Sequence, residues 1–333
     1  MSIIIPYHNE DINLLVPLFS SINTQIEINF DDIEIIMTNN CEEPKQLEDF
    51  FNRYSNINKI IRYIECPIKG GMGTNRQFGL EQSIGEYVMF CDCDDVLYSP
   101  SSLALVFSKL TTDIDMYDFI AIKELDIREL QPGAPLFEIN GPNPVLLHGK
   151  VYRRDYLSQH HIGFTNRLFA WEDMFFNQSL EMTKPNRKYF KIPIYVWKFR
   201  ASSVSKELGP EIVYQMKHWK DGILKNYYVF DYIRKYNTHT DEDFYDTFCA
   251  TVADWYARRY ENSYRIIDTN NMYAFTILTF DPTLVHLKQY STQQIGEESF
   301  IDWVKRITHN VDAKKMAEID KKFNIGHLED FCY

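Results

Sequence analysis

The alternation of short β-rich runs with helical patterns is the feature that most constrains how this chain folds. Between the first two β-rich runs, Ile12, Leu15, Val16 and Phe19 recur at intervals of three or four residues, as on one face of a helix. The alternation predicts an α/β fold, a sheet with helices on both faces. The β-rich runs are residues 3–6, 33–37, 60–64, 87–91 and 116–122.

A second helix-strand unit leads directly into an acidic run. Residues 72–83 predict a helix, and Gly85 is expected to end it in a left-handed conformation before the strand YVMFC. The run Asp92-Cys93-Asp94-Asp95 therefore follows the C-terminal end of a strand, where ligands bind in open α/β sheets. Three carboxylates on one tight turn repel each other unless a cation lies among them. Carboxylate oxygens suit Mg²⁺ or Mn²⁺, although an exposed acidic turn without an ion is equally compatible with these letters.

The character of the chain changes after about residue 204. Two amphipathic patterns, over 212–230 and 240–256, predict long helices, and the second opens with a capping box. We therefore predict two domains, an α/β domain over 1–205 that carries the acidic run and a helical unit over 206–333. The helical unit could shape a substrate site, bind a partner or form a homo-oligomer.

Composition narrows the class of partner. The 35 Lys and Arg residues are outnumbered by 47 Asp and Glu, which gives a net charge of −12 and disfavours nucleic acid. Residues 305–322 are a local basic exception. The six cysteines lack the spacing of a zinc module. No run approaches the roughly 20 apolar residues of a transmembrane helix, and the N-terminus lacks signal-peptide features, so we expect a cytoplasmic protein without a transmembrane segment.

Four separated segments carry a resemblance to a known family. They read SIIIPYHNE at 2–10, RQFGLEQSIGEYVMFCDCDD at 76–95, WEDMFF at 171–176 and YVWKFRASSVS at 195–205. In this order they resemble the inverting family 2 glycosyltransferases of the GT-A fold. The resemblance covers about residues 1–205, and we assign no family to the helical tail. It implies a Rossmann-like GT-A mixed sheet and transfer of a sugar from a nucleotide donor.

The resemblance also implies roles for individual residues. Asp94 is the expected direct metal ligand, Asp92 contacts the metal or the ribose, and Asp95 supports the turn. Mn²⁺ or Mg²⁺ there stabilises the leaving diphosphate. Asp173 is the expected general base and Glu172 the residue that orients the acceptor. The implied donor-binding residues are Pro6, Tyr7, Asn9, Glu10, Asn39, Asn40, Arg76, Asp92, Cys93, Asp94 and Arg200.

One departure from the family concerns the nucleotide. Asn39 and Asn40 stand where the family usually has an acidic turn that recognises uracil or ribose. An amide can still pair with a base edge, so a UDP-sugar remains the leading donor.

Several of these residues have simpler interpretations. Glu172 and Asp173 also suit the N-terminus of a helix, where acids stabilise the helix dipole. His148-Gly149-Lys150 could line the acceptor side. The aromatic strand around Tyr195 and Trp197, with Ser203 and Ser205, could close over the donor or only pack. The glycines of GGMG lack the spacing of a phosphate-binding loop.

Three hypotheses about function follow. The first is sugar transfer to a hydroxyl group of a saccharide or glycan. The second is transfer to a hydroxylated DNA base, for which residues 305–322 would supply positive charge. The third is a non-catalytic sugar-binding module of the same fold.

Overall fold

A computed structural model describes residues 1–125, 137–140 and 146–200, together with residues 225, 228, 229, 232, 235, 236, 294, 295, 298 and 299. The chain forms two compact units, Met1–Ala201 and Ser202–Tyr333. In the second unit the described residues from 225 to 236 are helical, and Gln294–Ile295 pairs with Glu298–Ser299. Apart from residues 225, 228 and 229, the two predicted long helices lie outside the described residues. The described helices include none long and apolar enough to cross a bilayer.

The first unit is built on one mixed sheet, as the resemblance implied. The strand order is β3-β2-β1-β4-β8-β6-β9-β5, and β7 pairs with β6. Strands β1 to β4 pair in parallel, whereas β8 is antiparallel to both of its neighbours. The strands are β1 Ser2–Tyr7, β2 Glu34–Asn39, β3 Ile61–Glu65, β4 Tyr87–Phe90, β5 Val96–Leu97, β6 Met116–Glu124, β7 Phe137–Asn140, β8 Lys150–Arg153 and β9 Arg187–Trp197.

Helices cover this sheet. Helix α1 is capped by Asp11, whose carboxylate accepts a hydrogen bond from the Asn13 backbone N–H at 2.8 Å. It buries Leu15, Leu18, Phe19 and Ile22, while Val16, predicted to share that face, is exposed. The helices are α1 Ile12–Asn23, α2 Glu48–Phe51, α3 Met72–Gln82, α4 Ser102–Phe107, α5 Arg154–Gln159 and α6 Glu172–Met182.

The register of the parallel strands sets where the loops emerge. Pro6 lies opposite Thr38, and Tyr7 lies opposite Asn39, so β1 and β2 end side by side. The Thr38 hydroxyl donates to the backbone carbonyl of Asn75 at 3.0 Å, which holds α3 over these strand ends. The loops after β1, β2 and β4 therefore open at one edge of the sheet.

The expectation that Gly85 is left-handed is wrong. Helix α3 ends at Gln82 with an extended cap at Ser83, and among the described residues the glycine with a positive φ is Gly149. Gly85 is needed for a different reason, because a Cβ there would lie 2.6 Å from the backbone nitrogen of Ser2. The Glu34 carboxylate fixes this close approach by accepting the Ile84 and Gly85 backbone N–H groups at 2.7 and 3.0 Å.

Candidate active site

The loops after β1 and β2 are joined through the side chain of Asn39. Its Nδ2 donates to Asn9 Oδ1 and to the Tyr63 hydroxyl, both at 2.8 Å, and its Oδ1 accepts the Cys41 backbone N–H at 2.7 Å. Asn39 is fully buried. Asn9 has a positive φ of 58°, a conformation that asparagine tolerates better than most residues. Both amide hydrogens of Asn39 are thus used to hold the loop.

Asn40 performs a similar task one residue further along. Its Nδ2 donates to the Gly70 carbonyl at 2.7 Å, and its Oδ1 accepts from Asn75 Nδ2 at 3.2 Å and lies 3.0 Å from His8 Nδ1. His8 is exposed at the edge of the sheet. His8 and Asn75 are not among the residues that the sequence predicts for the site, although each is adjacent to a predicted residue.

Four other predicted donor-binding residues lie in or beside this loop region. Pro6 and Tyr7 are buried in β1, and the Tyr7 hydroxyl donates to the Glu10 carbonyl at 2.9 Å. The Glu10 carboxylate accepts the His8 backbone N–H at 2.7 Å. Cys93 is buried in the core, and burial raises the pKa of its thiol. These contacts stabilise the conformation of the loops at this edge of the sheet, where the side chain of His8 is exposed.

The acidic turn is tied to the rest of the site by Arg76. This buried guanidinium donates through Nη2 to Asp92 Oδ1 and through Nη1 to Glu172 Oε1, both at 2.6 Å. Burial alone would raise the pKa of Asp92, but Arg76 and His148 outweigh it and hold that pKa well below its usual range. Asp92 is therefore ionised at neutral pH.

His148 approaches the same turn from the segment before β8. Its Nε2 lies 3.3 Å from Asp92 Oδ2 and 3.7 Å from Asp95 Oδ2, and its ring stacks on Trp197 with centroids 4.9 Å apart. Burial would lower the pKa of His148, but the contact with Asp92 raises it. Asp95 also accepts from the Tyr195 hydroxyl at 2.6 Å and from the Lys198 backbone N–H at 2.8 Å. Burial raises the pKa of Asp95 to about 8, although His148 opposes this.

Asp94 lies on the other side of the turn. Its Oδ2 is 3.2 Å from Arg200 Nε, so the predicted metal ligand and the predicted diphosphate contact form an ion pair. Burial and the neighbouring Asp92 raise the pKa of Asp94, while Arg200 lowers it. The pair places one cation and one anion at the partly exposed mouth of the turn.

The predicted general base lies at the start of α6. The helix is preceded by Trp171, which has a positive φ of 67°, a strained conformation for a bulky residue. Asp173 Oδ1 accepts the Met174 backbone N–H at 2.7 Å. Burial raises the pKa of Asp173, and it raises that of the neighbouring Glu172 to about 7 despite the contact with Arg76. Both acids also occupy the first turn of the helix, so the capping interpretation and the catalytic one are compatible.

Three side chains in the described part of the chain are placed to share a metal ion. One ligand atom each of Asp92, Asp95 and His148 lies within 4.8 Å of the other two. Two carboxylates and an imidazole are a ligand set that divalent transition metals accept. Asp94 is not in this group. Asp92 and His148 are 56 positions apart, so spacing along the sequence does not reveal that they lie together.

The described features define an α/β protein built on a mixed sheet. Its candidate active site lies at the edge where the parallel strands β1, β2 and β4 end. The chain belongs to glycosyl transferase family 2, since the family of that description matches residues 2–169.

Similar proteins agree with this assignment. Poly(ribitol-phosphate) beta-N-acetylglucosaminyltransferase TarS of Staphylococcus aureus (strain MW2) is 24% identical over 184 residues, which are 53% of this chain and 31% of TarS. EpsH of Bacillus subtilis (strain 168) is 26% identical over 212 residues, 58% of each chain. The chain thus spans less than two thirds of the length of these relatives.

The solved structures define the fold. The crystal structure of S. aureus TarS 1-349 superimposes with a TM-score of 0.54 at 17% identity, covering 96% of this chain and 85% of that one. The predicted GT-A fold is confirmed by this likeness.

Proposed function

We propose that the chain transfers a sugar from a UDP-sugar to a hydroxyl group of a saccharide or glycan, with inversion at the anomeric carbon. The observation that carries the proposal is the bridge formed by Arg76. It joins Asp92, at the end of β4, to Glu172, beside the proposed base Asp173. A donor-binding turn and a base held in fixed relation are what a single displacement reaction requires.

The groups in this site account for the bond that forms, the bond that breaks and the proton that is transferred. The acceptor oxygen attacks the anomeric carbon while the bond from that carbon to the diphosphate oxygen breaks, and the electron pair leaves with the diphosphate. The acceptor proton passes to the carboxylate of Asp173. One displacement inverts the anomeric configuration. Glu172, held by Arg76 at 2.6 Å, orients the helix turn from which Asp173 acts.

A divalent ion fits the acidic turn. Asp92, Asp95 and His148 would hold it, and the presence of an imidazole favours Mn²⁺ over Mg²⁺, which prefers oxygen ligands. When bound, the ion would stabilise negative charge on the leaving diphosphate. Asp94 and Arg200 flank the same turn, and Arg200 offers a cationic contact for a phosphate once its pairing with Asp94 is released.

The choice of UDP as the nucleotide of the donor is supported by S. aureus TarS. One crystal structure of S. aureus TarS 1-349, with a TM-score of 0.53 to this chain, is a complex with UDP. Because the identity is 17%, we carry only the nucleotide over as part of the proposal. In this chain the edge near His8, Asn9 and Glu10 is where the base would lie, since Asn39 and Tyr7 are buried behind it.

A donor-cleavage assay tests the proposal. The full chain is incubated with Mn²⁺ and, in turn, with UDP-glucose, UDP-galactose, UDP-N-acetylglucosamine and UDP-N-acetylgalactosamine, with and without a mixture of oligosaccharides, and UDP release is measured. We expect release from at least one donor and its acceleration by acceptor.

Two variants assign the roles. Asp173→Asn should lower acceptor-dependent turnover by about 10²-fold or more while leaving UDP binding intact. Asp92→Asn should weaken donor binding itself. If the wild-type chain binds UDP-sugars but neither hydrolyses nor transfers them, the chain is a sugar-binding module and the proposal is wrong.

A further inference from the structure

The segment His148-Gly149-Lys150 reaches both halves of the site. His148 contacts the acidic turn, whereas Lys150, two residues later, contacts helix α6. Gly149 lies between them with a positive φ of 72°, and a Cβ there would be 2.9 Å from the Phe119 carbonyl. Only glycine is suited to this close crossing. The segment therefore turns sharply between two contacts that belong to different parts of the site.

Lys150 is buried, and its ammonium contacts a buried amide. Its exposed fraction is 2%, and its Nζ lies 3.4 Å from Asn177 Oδ1. Tyr152, two residues along the same strand and so on the same face of it, donates its hydroxyl to the same oxygen at 3.0 Å. Strand β8 thus holds Asn177 with two donors.

Asn177 passes this restraint to the start of α6. Its Nδ2 donates to the backbone carbonyl of Asp173 at 3.2 Å, one helical turn earlier. Asn177 is itself fully buried. A chain of hydrogen bonds therefore runs from Lys150 and Tyr152 through Asn177 to the backbone carbonyl of Asp173.

The acidic neighbours of Lys150 offset only part of the cost of burying its charge, because burial still lowers the pKa of Lys150 to about 8. Asp118 on β6, Glu181 and Asp173 on α6 and Arg187 on β9 all interact with it electrostatically. Arg187 is in turn paired with Asp118 and with Glu181. A buried ammonium is costly for stability compared with an apolar side chain of similar size, so simple packing does not account for a lysine here.

We propose that Lys150 is a positioning residue that acts through Asn177 to fix the first turn of α6, and hence the carboxylate of Asp173. The inference rests on the proposed function, because it concerns the placement of the base in that reaction. The proposed donor-binding residues lie on or just after β1 and β2, on α3, in the acidic turn and after β9, and not on α6. Loss of Lys150 should therefore slow turnover without weakening the donor complex.

Lys150→Met tests the inference by kinetics. We expect kcat for transfer to fall by about tenfold or more, as displacement of a catalytic group does, with the KM for the UDP-sugar unchanged within twofold. Tyr152→Phe, which removes the second donor to Asn177 without changing the shape of the ring, should lower kcat in the same direction by less. It serves as the second variant if Lys150→Met folds poorly.

Arg153→Met is the matched control. Arg153 lies on the same strand and pairs with Asp115, just before β6, so its loss removes a cation and an ion pair without removing a donor to Asn177. We expect it to lower thermal stability and leave kcat unchanged. If Arg153→Met lowers kcat as much as Lys150→Met does, the effect is general destabilisation and the inference is wrong.

Amide hydrogen exchange separates this inference from the proposed function. In Lys150→Met the backbone amides of residues 174–177 should exchange faster than in the wild-type chain, whereas in Arg153→Met they should not. This measurement needs no turnover. Unchanged protection in Lys150→Met overturns the positioning role even if sugar transfer is observed, and faster exchange supports it even if the transfer assay fails.

Discussion

Arg76 Nη1 lies 2.6 Å from Glu172 Oε1, although the two residues are 96 positions apart. The same guanidinium reaches Asp92 at 2.6 Å with its other terminal nitrogen. The fork of one arginine therefore couples the end of β4 to the start of α6. A lysine could carry the charge but could not reach both carboxylates with parallel hydrogen bonds.

Arg76→Lys should therefore lower kcat/KM by about 10²-fold, since either the acidic turn or helix α6, which carries the proposed base Asp173, loses its restraint. Arg76→Met should also destabilise the protein by about 3–5 kcal/mol, because it leaves two largely buried carboxylates without their partner. Steady-state kinetics and urea unfolding measure the two effects.

Arg62→Lys is the control for Arg76→Lys. Arg62 pairs with Glu34 at 3.1 Å, but its side chain is 42% exposed. Exposed pairs of this kind contribute little to stability, so both kcat/KM and the unfolding midpoint should stay close to those of the wild-type chain. Equal losses in the two variants would contradict a special role for Arg76.

The pH dependence of turnover follows from the acids of α6. Burial raises the pKa of Asp173, and it raises the pKa of Glu172 to about 7. A general base must be ionised, so kcat should fall as the pH is lowered through the pKa of Asp173. Glu172→Gln removes a neighbouring negative charge and leaves Arg76 facing Asp173 and Asp92. The acidic limb of the profile of kcat against pH should therefore move to lower pH.

Profiles of kcat against pH for wild type, Glu172→Gln and Glu81→Gln check this. Glu81 is an exposed residue of α3 that accepts a hydrogen bond from Gln77, and its substitution should leave the limb in place. An acidic limb that is absent, or that stays where it was in Glu172→Gln, would count against Asp173 as the base.

Much of the fold was predictable because its signals are local. The apolar strand before the acidic turn and the helix over residues 72–82 are visible in adjacent letters. The sequence predicts Arg76, Asp92 and Glu172 as site residues, but it does not predict their contact, because that contact depends on how α3 and α6 pack. His148 shows the limit most clearly, since its place beside Asp92 comes from the position of β8 in the sheet and leaves no trace in spacing. Gly85 shows a second limit, because an isolated glycine after a helix does not distinguish a left-handed cap from a close backbone approach.

Measurements of Mn²⁺ binding can distinguish the ligand predicted from the sequence, Asp94, from the ligand group that the fold brings together, Asp92, Asp95 and His148. We expect Asp92→Asn and His148→Gln each to weaken Mn²⁺ binding by about tenfold or more, because both residues belong to the candidate ligand group of Asp92, Asp95 and His148. Asp94→Asn should retain Mn²⁺ binding and change donor affinity instead, since Asp94 pairs with Arg200. Isothermal titration with Mn²⁺ alone measures this. Loss of binding in Asp94→Asn with retention in His148→Gln would establish the ligand set predicted from sequence.

Glu34 gives a stability prediction that is independent of function. Burial would raise the pKa of this carboxyl, but hydrogen bonds from Ser2, the Ile84 and Gly85 backbone N–H groups and Arg62 outweigh it and lower the pKa. A carboxylate with a lowered folded-state pKa stabilises the protein above its unfolded pKa of 4.5, and this contribution is lost as the pH falls through the folded pKa. Glu34→Gln should cost about 1–3 kcal/mol at pH 7.

The difference between wild type and Glu34→Gln should therefore shrink as the pH is lowered below about 4.5, because protonation of Glu34 removes the same charge from the wild-type chain. Urea unfolding at a series of pH values measures it. Glu65→Gln, at an exposed position of β3, is the control and should show no such pH-dependent difference. A cost for Glu34→Gln that stays constant with pH would mean that the amide loses shape complementarity at this site, and that the charge of Glu34 does not hold Gly85 against Ser2.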